Sequence, residues 1–174
     1  GSAVVKITAR NMSSATIAAI ADQTYTGSEI KPEPTVKYGT TTLVKDTDYT
    51  LSYSSDTTNV GTVTVTITGK GNYTGTKTTT YKIVNASMEA GVTATGYTGV
   101  YNGEAHGITV TCSDATITYS TSSTGTYSAT NPTYTNAGEY TTYYKVVKAG
   151  YTTVTGSKKV TINKAAGSIS YATT

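Results

Sequence analysis

No Phe and no Trp occur among the 174 residues, so every aromatic ring available to the fold belongs to one of 16 Tyr. Each such ring brings a hydroxyl that needs a hydrogen-bond partner once it leaves water. A lone Cys112 excludes an internal disulfide, and with one His, His106, no zinc-type Cys/His spacing exists. In Thr109-Val110-Thr111-Cys112 the thiol reads as a small buried hydrophobe of a strand. Charged residues make up only 13%, and the formal net charge of +3 is spread as single residues such as Lys6, Lys37, Lys70 and Lys145. Without a basic block, nucleic acid is not an expected partner. No apolar run approaches the roughly 18 residues that cross a membrane, so membrane insertion is not expected. A signal peptide is also missing. Gly1-Ser2 reads as a cloning scar on an excised fragment, so absent targeting signals say little about the parent protein.

What is abundant is Thr, with 42 residues. Its β-branched side chain suits a pleated, half-buried surface and is disfavoured in helices. Disordered chains are short of both aromatic and β-branched residues, so this one is expected to fold. Self-comparison shows a repeat. Tyr25-Thr26-Gly27 returns as Tyr101-Asn102-Gly103, Asn59-Val60-Gly61-Thr62-Val63 as Asn136-Ala137-Gly138-Glu139-Tyr140, and Gly71-Asn72-Tyr73 as Gly150-Tyr151, at offsets of about 76 to 79 residues. Two modules are predicted, over 3–85 and 86–164, with 165–174 as the truncated start of a third.

Within each module apolar and polar residues alternate. Val63, Val65 and Ile67 fall on one face and Thr62, Thr64, Thr66 and Thr68 on the other, the period of a strand with one buried face. Similar runs cover Thr78 to Val84, Ala115 to Tyr119, Tyr140 to Val147 and Lys158 to Ile162. Gly69-Lys70-Gly71-Asn72, Ser122-Ser123-Thr124-Gly125, Asn131-Pro132 and Ala149-Gly150 supply turn chemistry. Pro32 and Pro34 cannot donate to a ladder, which predicts an edge or bulged strand. The Ala-rich stretch from Ser13 to Asp22 has too few apolar positions for a helical stripe and is assigned as the first strand. The chain is therefore expected to be all-β, with antiparallel sheets stacked as sandwiches.

Asn136-Ala137-Gly138-Glu139-Tyr140-Thr141-Thr142 resembles the Asp-x-Gly-x-Tyr-x-Cys signature of immunoglobulin-like domains, in which the Tyr forms a structural corner. Thr142 stands at the Cys position, and Val63 stands at the Tyr position of the first module. The runs Tyr25-Thr26-Gly27, Asp48-Tyr49-Thr50 and Gly69-Lys70-Gly71-Asn72-Tyr73 are similar to bacterial immunoglobulin-like surface repeats, found in large secreted or cell-wall proteins of Gram-positive gut bacteria. So are Tyr119-Ser120-Thr121 and Ala149-Gly150-Tyr151 in the second module. The resemblance implies two tandem immunoglobulin-like β-sandwich modules, an extracellular, secreted or cell-wall-attached location, and neighbouring repeats of the same chain as partners. Related surface modules sometimes crosslink a Lys to an Asn, for which Lys82, Lys145 and Lys159 could face inward.

Little in the sequence points to catalysis. A nucleophile needs a base within hydrogen-bond reach, and His106 lies in Glu104-Ala105-His106-Gly107, which reads as a surface loop. Asp46-Thr47-Asp48 lacks the Gly and closing Glu of a Ca²⁺ loop and reads as a turn. No catalytic residue, metal site or cofactor is expected. Tyr53, Tyr81, Tyr119 and Tyr140 are assigned to the core or a corner. Tyr143, Tyr144 and Tyr151 are the candidates for contact with a ligand, either a host glycan or an extracellular protein. The expected function is that of a non-catalytic, monomeric stalk or spacer segment of an adhesin-like protein; the alternative is an adhesion module that binds through exposed Tyr.

Overall fold

A computed structural model describes residues 8–54 and 56–167. The protein is all-β with several sheets, and it divides into two compact units, Gly1–Ala86 and Ser87–Thr174. The expected opening of a third repeat falls largely outside the described residues, and Ala165 to Gly167 carry no strand. Among the described residues no helix is long and apolar enough to cross a membrane.

Unit 1 contains β1 (Arg10–Asn11), β2 (Thr16–Ile17), β3 (Gln23–Thr24), β4 (Val36–Tyr38), β5 (Thr41–Thr42), β6 (Tyr49–Tyr53), β7 (Gly61–Gly69), β8 (Tyr73–Thr74) and β9 (Thr76–Val84). Its largest sheet has the order β3-β9-β7-β6, and β2-β4-β5 form a second. The alternation read from the sequence sets the inward face: Val63, Val65 and Ile67 are buried beside Tyr81 and Ile83. These pack with Val36, Leu43 and Met12 into one core.

Two expectations need correction here. Ser13 to Asp22 is not one strand. Asn11 accepts the Ser13 amide at 2.9 Å and caps a 3-10 turn over Met12–Ser14, and only Thr16–Ile17 is extended into a ladder. Pro32 and Pro34 lie in no strand at all. The chain there is held through its carbonyls, which need no amide from Pro: Tyr81 donates its hydroxyl to Ile30 and Tyr53 to Pro32, the latter at 2.9 Å.

Unit 2 contains β10 (Thr93–Thr95), β11 (Tyr97–Val100), β12 (His106–Gly107), β13 (Thr109–Thr111), β14 (Thr116–Ser120), β15 (Thr133–Tyr134), β16 (Gly138–Val147) and β17 (Val154–Asn163). The main sheet runs β11-β17-β16-β14, with β10-β13 and β12-β15 as smaller pairs. Its core joins Met88, Ile108 and Val110 to Tyr144, Val146, Val160 and Ile162. Two parallel ring stacks close one end. His106 lies 3.8 Å from Tyr97 and Tyr134 lies 4.0 Å from Tyr140, both at 8° between planes. His106 is thus a half-buried strand residue and not part of a surface loop. Lys82, Lys145 and Lys159 all face solvent, so none is placed for the inward crosslink, and Lys159 pairs with Glu139 at 3.1 Å.

The departure of Val63 from the Tyr motif has a packing explanation. Val63 lies opposite Tyr81 in unit 1, and Tyr140 lies opposite Val160 in unit 2. Each unit therefore places one Tyr and one Val across the same rung, on exchanged strands. Tyr81→Val alone removes a ring and leaves the Ile30 carbonyl without its donor, a loss of about 3 kcal/mol or more. Val63→Tyr alone overfills the core by about 1–3 kcal/mol. The double exchange is expected to be more stable than the sum of the single changes by about 1 kcal/mol or more. Strict additivity in denaturant titrations that follow unit 1 would refute the exchange.

Burial pushes the hydroxyls of Tyr49, Tyr53 and Tyr81 above their ordinary pKa, with the Glu33 carboxylate adding to this for Tyr49 and Tyr53. The folded state therefore holds these protons more tightly than the unfolded state. Their contribution to stability is complete below the unfolded value of about 10 and is lost as pH climbs through the raised folded values. The unfolding free energy of unit 1 in denaturant titrations is expected to fall as pH is raised above ~10, and a value unchanged from neutral pH would refute the contribution.

Candidate functional site

The feature common to both units is a turn near the end of each. Lys70-Gly71-Asn72-Tyr73 closes with the Tyr73 amide donating to the Lys70 carbonyl at 3.1 Å, and Lys148-Ala149-Gly150-Tyr151 closes in the same way at 3.2 Å. The two lysines also do the same thing. Lys70 donates from Nζ to the Asp46 carbonyl at 2.7 Å, and Lys148 to the Ser113 carbonyl at 3.2 Å. Asp46 and Asp114, at or next to those carbonyls, have φ of 68° and 55°. That left-handed conformation is unfavourable for a residue with a Cβ, although Asp tolerates it better than most. Each lysine thus ties the terminal turn to a strained turn elsewhere in its unit.

A cavity lies beside each turn. In unit 1 it is about 440 Å³ and is lined by Thr8, Arg10, Asn72 and Tyr73. In unit 2 it is about 250 Å³, and its walls include Met88, Cys112, Ser113, Lys148 and Tyr151. Each has a cation against an aromatic ring. Arg10 lies 5.3 Å from the centre of Tyr38, which is tilted against Tyr73, and Lys148 lies 5.2 Å from the centre of Tyr151. Lys148 is further drawn to the Asp114 carboxylate at 3.8 Å.

The tyrosines expected to contact a ligand are scattered. Tyr144 is a core residue with 9% of its surface exposed, opposite Tyr119 and Gly156. That placement corrects its assignment as a surface contact: adjacent residues of a strand point to opposite faces, and Tyr144 takes the inner one. Tyr143 is half-buried on the outer face between Ser120 and Ser157. Only Tyr151 lines a cavity. Tyr140 donates its hydroxyl to the Asn136 carbonyl at 3.2 Å, and Thr142, at the Cys position of the signature, is fully buried with its hydroxyl 3.3 Å from that of Tyr134.

Sequence reasoning aligned the Gly and Tyr of the terminal turns but passed over Lys70 and Lys148. The signal was available as a Lys three residues before each Tyr. Arg10, the single Arg of the chain, was likewise overlooked. Chemically, the two cavities offer cations, hydroxyls, an amide and ring faces. His106 Nε2 is engaged 2.9 Å from Asn102 Oδ1. Among the described residues no group of three or more His, Cys, Asp or Glu is placed to hold a metal ion.

Lys70→Met and Lys148→Met retain the stem of the side chain and remove the donor. Each is expected to destabilise its own unit by about 0.5–1.5 kcal/mol and to speed amide exchange around Asp46 or Asp114. Unchanged exchange at both turns would show that the lysines do not act as ties.

No protein-family model matches the chain, and no curated protein matches it either.

Proposed function

We propose that this chain is a non-catalytic extracellular spacer built from two tandem immunoglobulin-like sandwich modules, of the kind found in bacterial surface repeats. One observation supports this reading above the others: in both units an early strand runs parallel to the last strand. β3 pairs with β9 through Gln23↔Ile83 and Thr24↔Val84, and β11 pairs with β17 through Tyr97↔Val160, Thr98↔Thr161, Gly99↔Ile162 and Val100↔Asn163. Antiparallel neighbours would turn the chain back to the end at which it entered. In a parallel pair the chain runs in the same sense along both strands. Tension on the chain then pulls the paired strands past one another and loads their hydrogen bonds together.

The recurring Tyr-x-Gly supports this arrangement in both units. The Tyr25 amide donates to the Val84 carbonyl and the Tyr101 amide to the Asn163 carbonyl, each at 2.8 Å, which extends the parallel ladder by one bond. Two residues later Gly27 and Gly103, at φ of 78° and 82°, turn the chain away. The recurring Tyr-x-Gly thus marks the end of the parallel pair. Adhesion through exposed Tyr draws less support, since Tyr144 is in the core and Tyr143 is half-buried.

Single-molecule extension of the intact chain tests the reading. Two separate unfolding events are expected, with unit 2, which has four parallel rungs, yielding at higher force than unit 1, which has two. Gly96 lies against the Lys159 backbone, where an added Cβ would overlap the carbonyl oxygen. Gly96→Ala is therefore expected to displace β11 and lower the force for unit 2 alone. If both units opened gradually at low force, the spacer reading would fall.

A further inference from the structure

We propose that the cavity beside the terminal turn of unit 1 binds a carboxylate-bearing sugar, with Arg10 receiving the carboxylate. The inference goes beyond the spacer reading and is independent of it. Arg10 is the only guanidinium of the chain. Among the described residues no carboxylate lies within ion-pairing distance of it, whereas Lys31, Lys45, Lys148 and Lys159 each have one.

The backbone of Arg10 is fixed beside the cavity. The Arg10 amide donates to the Asn72 carbonyl at 2.9 Å, and Arg10 is the ladder partner of Tyr73. The charged group sits over the Tyr38 ring, whose own position is fixed by Tyr73. At 5.3 Å from the ring centre the cation is attracted to Tyr38, and among the described residues no carboxylate takes up the N–H edge of its fork. That edge matches the two oxygens of a carboxylate, a geometry that Lys cannot reproduce.

The rest of the cavity selects the remainder of the ligand. Its other walls are the Thr8 hydroxyl, the Asn72 amide and Tyr73, and at about 440 Å³ it has room for one monosaccharide. Neutral donors and acceptors beside a ring suit a hydroxylated ring, and among the described residues no acidic side chain lines the space to repel an anion. Unit 2 provides an internal control. Its smaller cavity carries Lys148, already engaged by the Ser113 carbonyl, the Asp114 carboxylate and the Tyr151 ring.

The test is titration of the isotopically labelled, intact chain with sodium glucuronate and with N-acetylneuraminate, followed by amide NMR. Saturable shifts confined to Thr8, Arg10, Asn72 and Tyr73 are expected, with a dissociation constant in the millimolar range, on the order of one charge-assisted contact. Glucose, which lacks the carboxylate, and acetate, which lacks the ring, should each bind at least about tenfold more weakly, a difference of about 1.4 kcal/mol. Arg10→Lys should weaken glucuronate binding by a similar factor and Arg10→Met should abolish it, while the amide signals of the unit 1 core strands around Val63, Val65 and Ile67 stay in place as proof of folding. The proposal is overturned if no shifts appear with either acid up to about 50 mM, far above the expected constant. It is equally overturned if Arg10→Met binds as the parent does, or if acetate or glucose binds as tightly as glucuronate.

Discussion

Every large ring in this protein carries a hydroxyl, and burying it obliges the fold to place an acceptor beside it. A Phe core can be packed by shape alone, but a Tyr core must be packed by shape and wired at the same time, because an unpaired buried hydroxyl costs about 1–3 kcal/mol. The consequence is visible in the partners. Tyr81 and Tyr53 reach Ile30 and Pro32, more than twenty residues upstream, and Tyr140 reaches Asn136. The residues that fill the core thus also fasten the irregular segments that surround it. In a chain without disulfides, this takes over part of the work of a crosslink, since it pins connections that carry few apolar contacts of their own.

The same requirement limits how freely the repeat can vary. A Tyr can be exchanged with its rung partner only where its new position also offers a carbonyl. Unit 1 keeps Tyr81 on the last strand because the Ile30 carbonyl lies within reach, and unit 2 keeps Tyr140 on the preceding strand because the Asn136 carbonyl does. The ring volume across the rung is conserved while its strand is not. For this reason the repeat looks weaker in sequence than in space: comparing position with position counts two mismatches where the packed pair is equivalent.

The long strands were legible because their pattern is local. Alternation marks Val63 to Ile67 and Tyr140 to Val147 without reference to anything else in the chain, and the strands extend by a few residues beyond the predicted runs. The parts that matter most to the proposed function were not legible. Gln23–Thr24 is too short to show a period, and it becomes a strand only because β9 lies alongside. His106 is extended for the same reason, by pairing with Tyr134. The Pro segment lies in no strand because its missing amides matter less than its carbonyls, which accept from the hydroxyls of Tyr53 and Tyr81. In each case the deciding interaction joins residues far apart in sequence, where propensity carries no information.

The two cations beside the terminal turns separate what is structural from what is free to differ. Lys70 and Lys148 occupy equivalent positions and make equivalent bonds, so geometry alone accounts for their recurrence. Arg10 has no such explanation. A guanidinium near a ring without an anion gains a modest attraction, on the order of 0.5–1 kcal/mol at an exposed site, and a Lys or Met stem would cover Tyr38 about as well. What distinguishes Arg is the open edge of the fork, and that edge contributes nothing to the fold of the described residues. Lys70 and Lys148 are thus accounted for by the turns they tie, whereas Arg10 is accounted for only by the ligand proposed for it.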